Sequence, residues 1–382
     1  MSSGVEEGQR FFDPGLSVPA VDVSGLTWHE ADDARFSLEG FWWRRPGGAF
    51  RRLPLSSAER TLPAGVDGLA WHSSGGCLRF RSDCSRIVVR ARMASANLIV
   101  RMAMTGSMGF DLYADGTCRG VSRFRIGEGD FVAEVFAHGE RRMRDFTLYF
   151  PTYARLTSLE LGFDAQARFE EPCAWPDPRP IVAYGTSILQ GACANRPGMA
   201  YTNLLSRTLG RPVLNFGFAG NGRGEAVMAE TLAEIERPAL YLLDYDANVS
   251  HDQLAATLTP FCRILRAAHP ETPILTLSRT PMTEDLPQSP ESPWPSERLL
   301  RYWDIHRQSR DELRASGDRR VHCLDGSGLL GADWWDCLVD GVHLTDLGFR
   351  HYADKMIPVL RPLLYPRNDM RSNTEIMHGE KK

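Results

Sequence analysis

Apolar positions in the first 170 residues fall in short runs, several with period two. Examples are 77–80 (CLRF), 86–91 (RIVVRA), 98–102 (LIVRM), 131–136 (FVAEVF), 146–150 (FTLYF) and 159–163 (LELGF), with turn residues between them, as in ADGT at 114–117. Alternation puts one set of side chains in a core and the other in water, so each run predicts a strand. Strands at this spacing, with almost no helical period among them, predict an antiparallel β-sandwich over 25–170 behind an N-terminal arm, 1–24.

The pattern changes near residue 175. Segment 171–180 (EPCAWPDPRP) holds four prolines, which fix φ and push their preceding neighbours toward extended backbone, so it reads as an interdomain linker. Strands are then predicted at 181–184, 213–215, 239–243, 274–277 and 321–324. Between them lie helical stripes: Leu204, Leu205 and Leu209 in 199–209; Val227, Met228, Leu232 and Ile235; Leu254, Leu258, Phe261 and Leu265; and a helix over 296–315. A last helix spans about 346–364, with Pro358 and Pro362 expected to kink it or end it early. Apolar strands alternating with amphipathic helices predict a parallel sheet covered on both faces over 181–365. The active crevice of such a sheet lies beyond the carboxyl ends of its strands. Segment 366–382 is polar and aperiodic and reads as a disordered tail.

Composition narrows the function classes. A net charge of −4 in 382 residues gives no field that would favour nucleic acid or an anionic membrane surface. No stretch approaches the roughly 20 apolar residues of a membrane helix. The start (MSSGVEEGQRFFDPG) lacks the basic and apolar regions of a secretion signal, so a cytoplasmic location is expected. The eight cysteines form no C-x-x-C and read as reduced thiols. No histidine pair has metal-ligand spacing, and neither a metal nor a cofactor is expected.

The candidate chemistry falls at predicted strand ends. Ser187, in YGTSI after the first strand of the second half, sits where a helix begins and would project its hydroxyl at the crevice. A serine there is equally suited to capping that helix. In WDCLVDGVHLTDLGF, Asp340 precedes His343 by three residues. On a turn this spacing lets the carboxylate hold one ring nitrogen while the other takes a serine proton; the competing reading is a loop whose aspartate and histidine satisfy backbone groups. In NFGFAGNGRGE (215–225), the Gly220 amide and the Asn221 side chain are candidate oxyanion or substrate donors. The rival, a dinucleotide loop, fails because Glu225 stands where the third glycine of G-x-G-x-x-G belongs. In DYDAN (244–248), Asn248 is a further candidate donor, or an asparagine in an ordinary turn.

These blocks, in this order, resemble the SGNH/GDSL hydrolase superfamily over about 181–360. The resemblance implies a three-layer α/β/α flavodoxin-like domain, Ser187 as nucleophile, Gly220 and Asn248 as oxyanion-binding residues, and Asp340 with His343 as terminal partners. The sequence departs from the family's G-x-N-D at the third block, which leaves Asn221 as an alternative to Asn248. Gly109-Phe110-Asp111-Leu112-Tyr113 resembles the GxDLY signature of a two-domain subgroup of esterases and antibiotic-tailoring acyltransferases. That implies a jelly-roll front domain similar to carbohydrate-binding modules; read from the residues alone, the five are a strand and its turn.

The expected reaction is a two-step acyl transfer from a small-molecule ester or thioester to water, or to an alcohol in an acyltransferase. A different class of function, carbohydrate binding without catalysis, stays open on the front domain. The proline-rich loop 279–295 is long for a connection and could wall the crevice or form a surface excursion.

Overall fold

The computed structural model describes residues 17–365 apart from 96–97, 126, 288 and 290–291; the expected tail lies outside the described residues. The first half comprises β1 (Leu26–Glu30), β2 (Ser37–Glu39), α1 (Ala64–Leu69), β3 (Cys77–Ser82), β4 (Arg86–Met93), α2 (Met104–Ser107), β5 (Asp111–Ala114), β6 (Thr117–Val121), β7 (Asp130–Ala137), β8 (Arg144–Tyr149), β9 (Leu156–Asp164) and β10 (Phe169–Glu170). One antiparallel sheet has the order β1-β9-β4-β7. The other has the order β10-β3-β8-β5-β6, with β2 also on β3. Their facing side chains, such as Ile87, Val89, Leu161 and Phe163 against Leu78, Phe80, Leu112 and Leu148, form one apolar core. Period-two alternation therefore becomes a sandwich.

Two features of this half depart from the pattern. Segment 98–102 is not a strand but a turn, with Leu98 61% and Val100 81% exposed and Arg101 at φ +75°, a left-handed geometry that a strand cannot contain. Between β2 and β3 the chain leaves the sandwich. Leu53, Leu62, Val66 and Ala70 bury themselves in the core of the second half, and Arg52, fully buried, donates to the carbonyls of Leu69, Asn215 and Gly217 at 2.8–3.0 Å.

The second half comprises β11 (Ile181–Gly185), α3 (Ser187–Gln190), α4 (Tyr201–Leu209), β12 (Val213–Gly217), α5 (Ala226–Ala233), β13 (Leu240–Asp244), α6 (His251–Ala268), β14 (Ile274–Leu277), α7 (Glu297–Ala315), β15 (Val321–Leu324) and α8 (Asp346–Leu364). Its five strands are parallel in the order β12-β11-β13-β14-β15. Alternate strand residues feed two cores. One, with Val182, Tyr184 and Leu243, packs against α5, α6 and α7; the other, with Ala183, Leu242 and Leu275, packs against α4 and α8. The result is the three-layer, flavodoxin-like arrangement, and its strand order reverses between β11 and β13, where such sheets bind ligands. Residues 197–199 form a 3-10 turn rather than the start of α4. Pro358 and Pro362 do not end α8, because both lie on its exposed face, where the carbonyls they leave unpaired can turn to water. No helix among the described residues is long and apolar enough to cross a membrane.

Candidate active site

At the end of β11 the chain enters α3. Thr186 caps it, its side chain accepting from the Ile188 amide at 3.2 Å, so Ser187 is the first helical residue and its hydroxyl is not used for capping. Gly217 lets α3 press onto β12, since a Cβ there would come within 2.2 Å of the Gln190 nitrogen. Ser187 is 9% exposed, and its Oγ lies 2.9 Å from His343 Nε2 across 156 positions of sequence.

The turn before α8 holds the other partners. Asp340 Oδ1 accepts from the amides of Val342 (3.1 Å) and His343 (2.8 Å), while Oδ2 lies 2.8 Å from His343 Nδ1. Partial burial pushes the Asp340 carboxyl up. The His343 amide, ring and charge and the Val342 amide outweigh that and hold it down at about 2. A carboxylate only accepts, so Nδ1 carries the hydrogen and Nε2 is left to accept from the Ser187 hydroxyl. The structure thus brings Ser187, His343 and Asp340 into one hydrogen-bonded line.

The donor candidates separate. Gly220 adopts φ +68°, and its amide and that of Ser187 donate to no protein acceptor among the described residues. Both residues line one cleft of about 420 Å³ with His343, Asp340 and Asn248. The Asn248 amide hydrogens go to the carbonyls of Phe218 (3.2 Å) and Gly222 (3.0 Å), tying the glycine loop to the end of β13. Asn221 turns elsewhere: its Nδ2 donates to Ala219 O at 2.7 Å, and a Cβ on Gly65 of α1 would come within 2.0 Å of its Oδ1.

Gln190, not singled out from the sequence, holds this loop. Its Oε1 accepts from the Ala219 amide at 3.1 Å, and its Nε2 donates to Thr152 O at 3.1 Å and lies 3.0 Å from His72 Nδ1. Burial and the Arg52 charge push His72 down to about 4, so its neutral Nδ1 accepts this bond. Gln190→Ala is expected to lower stability by about 2–3 kcal/mol, because several buried partners lose their bonds. It should also lower kcat/KM on the order of tenfold as the Gly220 loop loosens. Thermal melts and steady-state kinetics check both, and wild-type kinetics would mean that the loop does not depend on this residue.

The front half supplies a wall of the cleft. Ile99, Val100, Arg101, Met102 and Tyr153 line it beside Ala192, Cys193 and Val342. No described residue of the 279–295 loop does so. That loop instead braces the turn bearing Asp340 and His343, with Thr283 N donating to Gly341 O at 2.8 Å and Trp294 stacked on Trp334 at 5.4 Å. The GFDLY segment is a latch rather than a lining element: buried Asp111 on β5 accepts from Arg196 at 2.6 Å and from the Gly198 amide at 2.9 Å. A larger groove, about 760 Å³, lies on the sandwich against residues 18–23, and no histidine or cysteine is among its described lining residues.

Comparison with known proteins agrees with this layout. Residues 178–361 match the GDSL-like lipase/acylhydrolase family, and residues 26–169 match the N-terminus of SGNH-hydrolase-type esterases. A Bacteroides ovatus protein assigned as a GDSL-like lipase superposes with a TM-score of 0.78 at 29% identity, over 89% of this chain and 98% of its own. The salicylyl-acyltransferase SsfX3 from a tetracycline biosynthetic pathway superposes at 0.69 and 19% identity, over 92% and 98%. A family two carbohydrate esterase from Cellvibrio japonicus gives 0.57 at 14% identity, over 89% and 98%. No sequence among curated proteins matches the chain.

Proposed function

Because the chain belongs to the GDSL-like lipase/acylhydrolase family of ester-acting enzymes, behind the N-terminal region of SGNH-type esterases, we propose that it is a serine acyl-ester hydrolase working through an acyl-enzyme on Ser187. The reading is carried by the line Ser187 Oγ–His343 Nε2–His343 Nδ1–Asp340 Oδ2, with separations of 2.9 and 2.8 Å. As Oγ bonds to the substrate carbonyl carbon, its proton passes to Nε2, and the Asp340 carboxylate stabilises the imidazolium. The amides of Ser187 and Gly220 receive the oxyanion. Asn248 adds a third donor by releasing Phe218 O, the longer of its two bonds. On collapse the ester C–O bond breaks, or C–S in a thioester, and His343 returns the proton to the leaving group. Water then gives a proton to His343 and attacks the acyl-enzyme, releasing the acid and restoring the Ser187 hydroxyl.

The side chains of Ile99, Val100, Met102 and Val342 suit an apolar acyl group on a small ester. The front sandwich, read as a jelly-roll because early and late strands alternate in both sheets, keeps a sugar ester among the substrates. Against that, Tyr153 is the only ring other than His343 among the described lining residues. Transfer to an alcohol is the second reading. The apolar wall beside Ser187 favours it, because transfer requires that water be restrained.

A fluorophosphonate probe should label Ser187 alone in the folded protein and nothing after heat denaturation. Peptide mass spectrometry reads the site, and a label elsewhere, or none, overturns the assignment. Product partition with added alcohols then separates the two acceptors: ester products support transfer, and hydrolysis with every alcohol supplied excludes it.

A further inference from the structure

One charged side chain of the front half reaches the triad. Arg101 Nη1 lies 3.0 Å from Asp340 Oδ2, the oxygen that also holds His343 Nδ1, across 239 positions of sequence. The Asp340 side chain is 7% exposed and that of Arg101 61%. The guanidinium is therefore delivered from the rim to a nearly buried carboxylate.

The local backbone is built for this delivery. Met102 N donates to Ile99 O at 3.1 Å, closing a tight turn. Within it Arg101 takes φ +75°, a region that residues with a Cβ hold only where the surroundings impose it. The following segment is pinned to the stretch after α3, the helix that bears Ser187. Thr105 Oγ1 donates to Asn195 O at 2.6 Å, and Gly106 lies so close to Ala194 that a Cβ would come within 1.9 Å of its carbonyl oxygen. Docking of the two halves thus fixes where Arg101 stands.

We infer that Arg101 is a positioning residue supplied by the front half: it holds the Asp340 carboxylate toward His343 and offsets part of the negative charge that this carboxylate presents to the ring. This inference rests on the proposed acyl-enzyme reading. The groups facing Asp340 are His343 on its own turn, Arg101 from the front half and the Cys193 thiol after α3. Burial and the Asp340 charge push that thiol up to about 11, so it is neutral and Arg101 is the fixed cation. A cation on the carboxylate cancels part of the negative charge that stabilises the imidazolium, so its removal favours the protonated ring.

The test is Arg101→Gln in the full chain, with kcat/KM for p-nitrophenyl acetate followed from pH 5 to 9. The acid limb is expected to move up by about half a unit to one unit, a small shift because the guanidinium is largely exposed. The plateau kcat should fall severalfold with KM little changed, while Arg101→Lys keeps most of the wild-type profile. Added salt should move the wild-type limb toward that of Arg101→Gln and leave the variant in place. Superimposable Arg101→Gln and wild-type profiles, with Ser187→Ala inactive, overturn this inference alone. Retained turnover in Ser187→Ala overturns the acyl-enzyme reading, and the inference with it.

Discussion

Ser187→Ala is expected to lower ester turnover on the order of 10⁵- to 10⁶-fold while leaving the fold intact. Losses of that size follow when the nucleophile of a hydrogen-bonded triad is removed, because His343 and Asp340 then have no hydroxyl to activate. The residual rate should still exceed that in water, since the donor amides of the cleft remain. Stability should change by less than about 1 kcal/mol. Ser187 is the first residue of α3 and the cap belongs to Thr186, so alanine there removes one bond, to His343. Steady-state kinetics and a thermal melt on the same preparation decide the matter. Turnover within tenfold of wild type would remove Ser187 from the reaction, and a collapsed melting curve would show that the hydroxyl had a structural task instead.

The parts of this fold that were legible are those where burial is simple. Strands β11 to β14 are buried at every position, so they appear as short, mostly apolar runs between amphipathic helices. Strand β7 alternates buried and partly exposed residues over most of its length, and its pattern follows its pleat. The 98–102 run misleads because LIVRM has the composition of a strand, yet its apolar side chains stand at the rim of the cleft. Periodicity reports burial in the protein's own core and is blind to apolar surface left exposed at the rim of a cleft. Segment 41–75 is opaque for another reason. Its buried residues Leu53, Leu62, Val66 and Ala70 are irregularly spaced and pack in the core of the second half, more than a hundred positions away, and no local pattern records that contact.

Residue type was a better guide than donor direction at the site. The turn holding Asp340 and His343 is local, three residues apart, so its geometry follows from the sequence almost directly. Asn221 and Asn248 are chemically equivalent as donors. What separates them is the partner each amide meets: Ala219 O and α1 for the first, Phe218 O and Gly222 O for the second. Those partners belong to loops whose course is set by tertiary packing. Gln190 and Arg101 were invisible for the same reason, since each acts through contacts between the two halves.

Asp340→Asn should lower kcat on the order of 10³- to 10⁴-fold, less than the loss of Ser187 but far more than its distance from the nucleophile suggests. Both carboxylate oxygens are committed, Oδ1 to the amides of Val342 and His343 and Oδ2 to His343 Nδ1 and Arg101. The asparagine oxygen can serve only one side. Kept on the amides, it turns its NH₂ toward His343, which must then accept at Nδ1 and carry its hydrogen on Nε2, where it can no longer take the Ser187 proton. The same NH₂ faces Arg101, so the 98–102 turn loses its partner as well. Stability gives an independent check with a definite sign. The folded carboxyl, at about 2, lies below its ordinary value of 3.8, so its contribution is present above about pH 4 and is lost as pH falls through 2. A displacement of that size corresponds to about 2 kcal/mol. The stability deficit of Asp340→Asn should therefore shrink between pH 4 and 2 in denaturant titrations. A deficit that does not vary with pH, or a variant that turns over ester at more than about a tenth of the wild-type rate, would mean that Asp340 is not the carboxylate on which His343 depends.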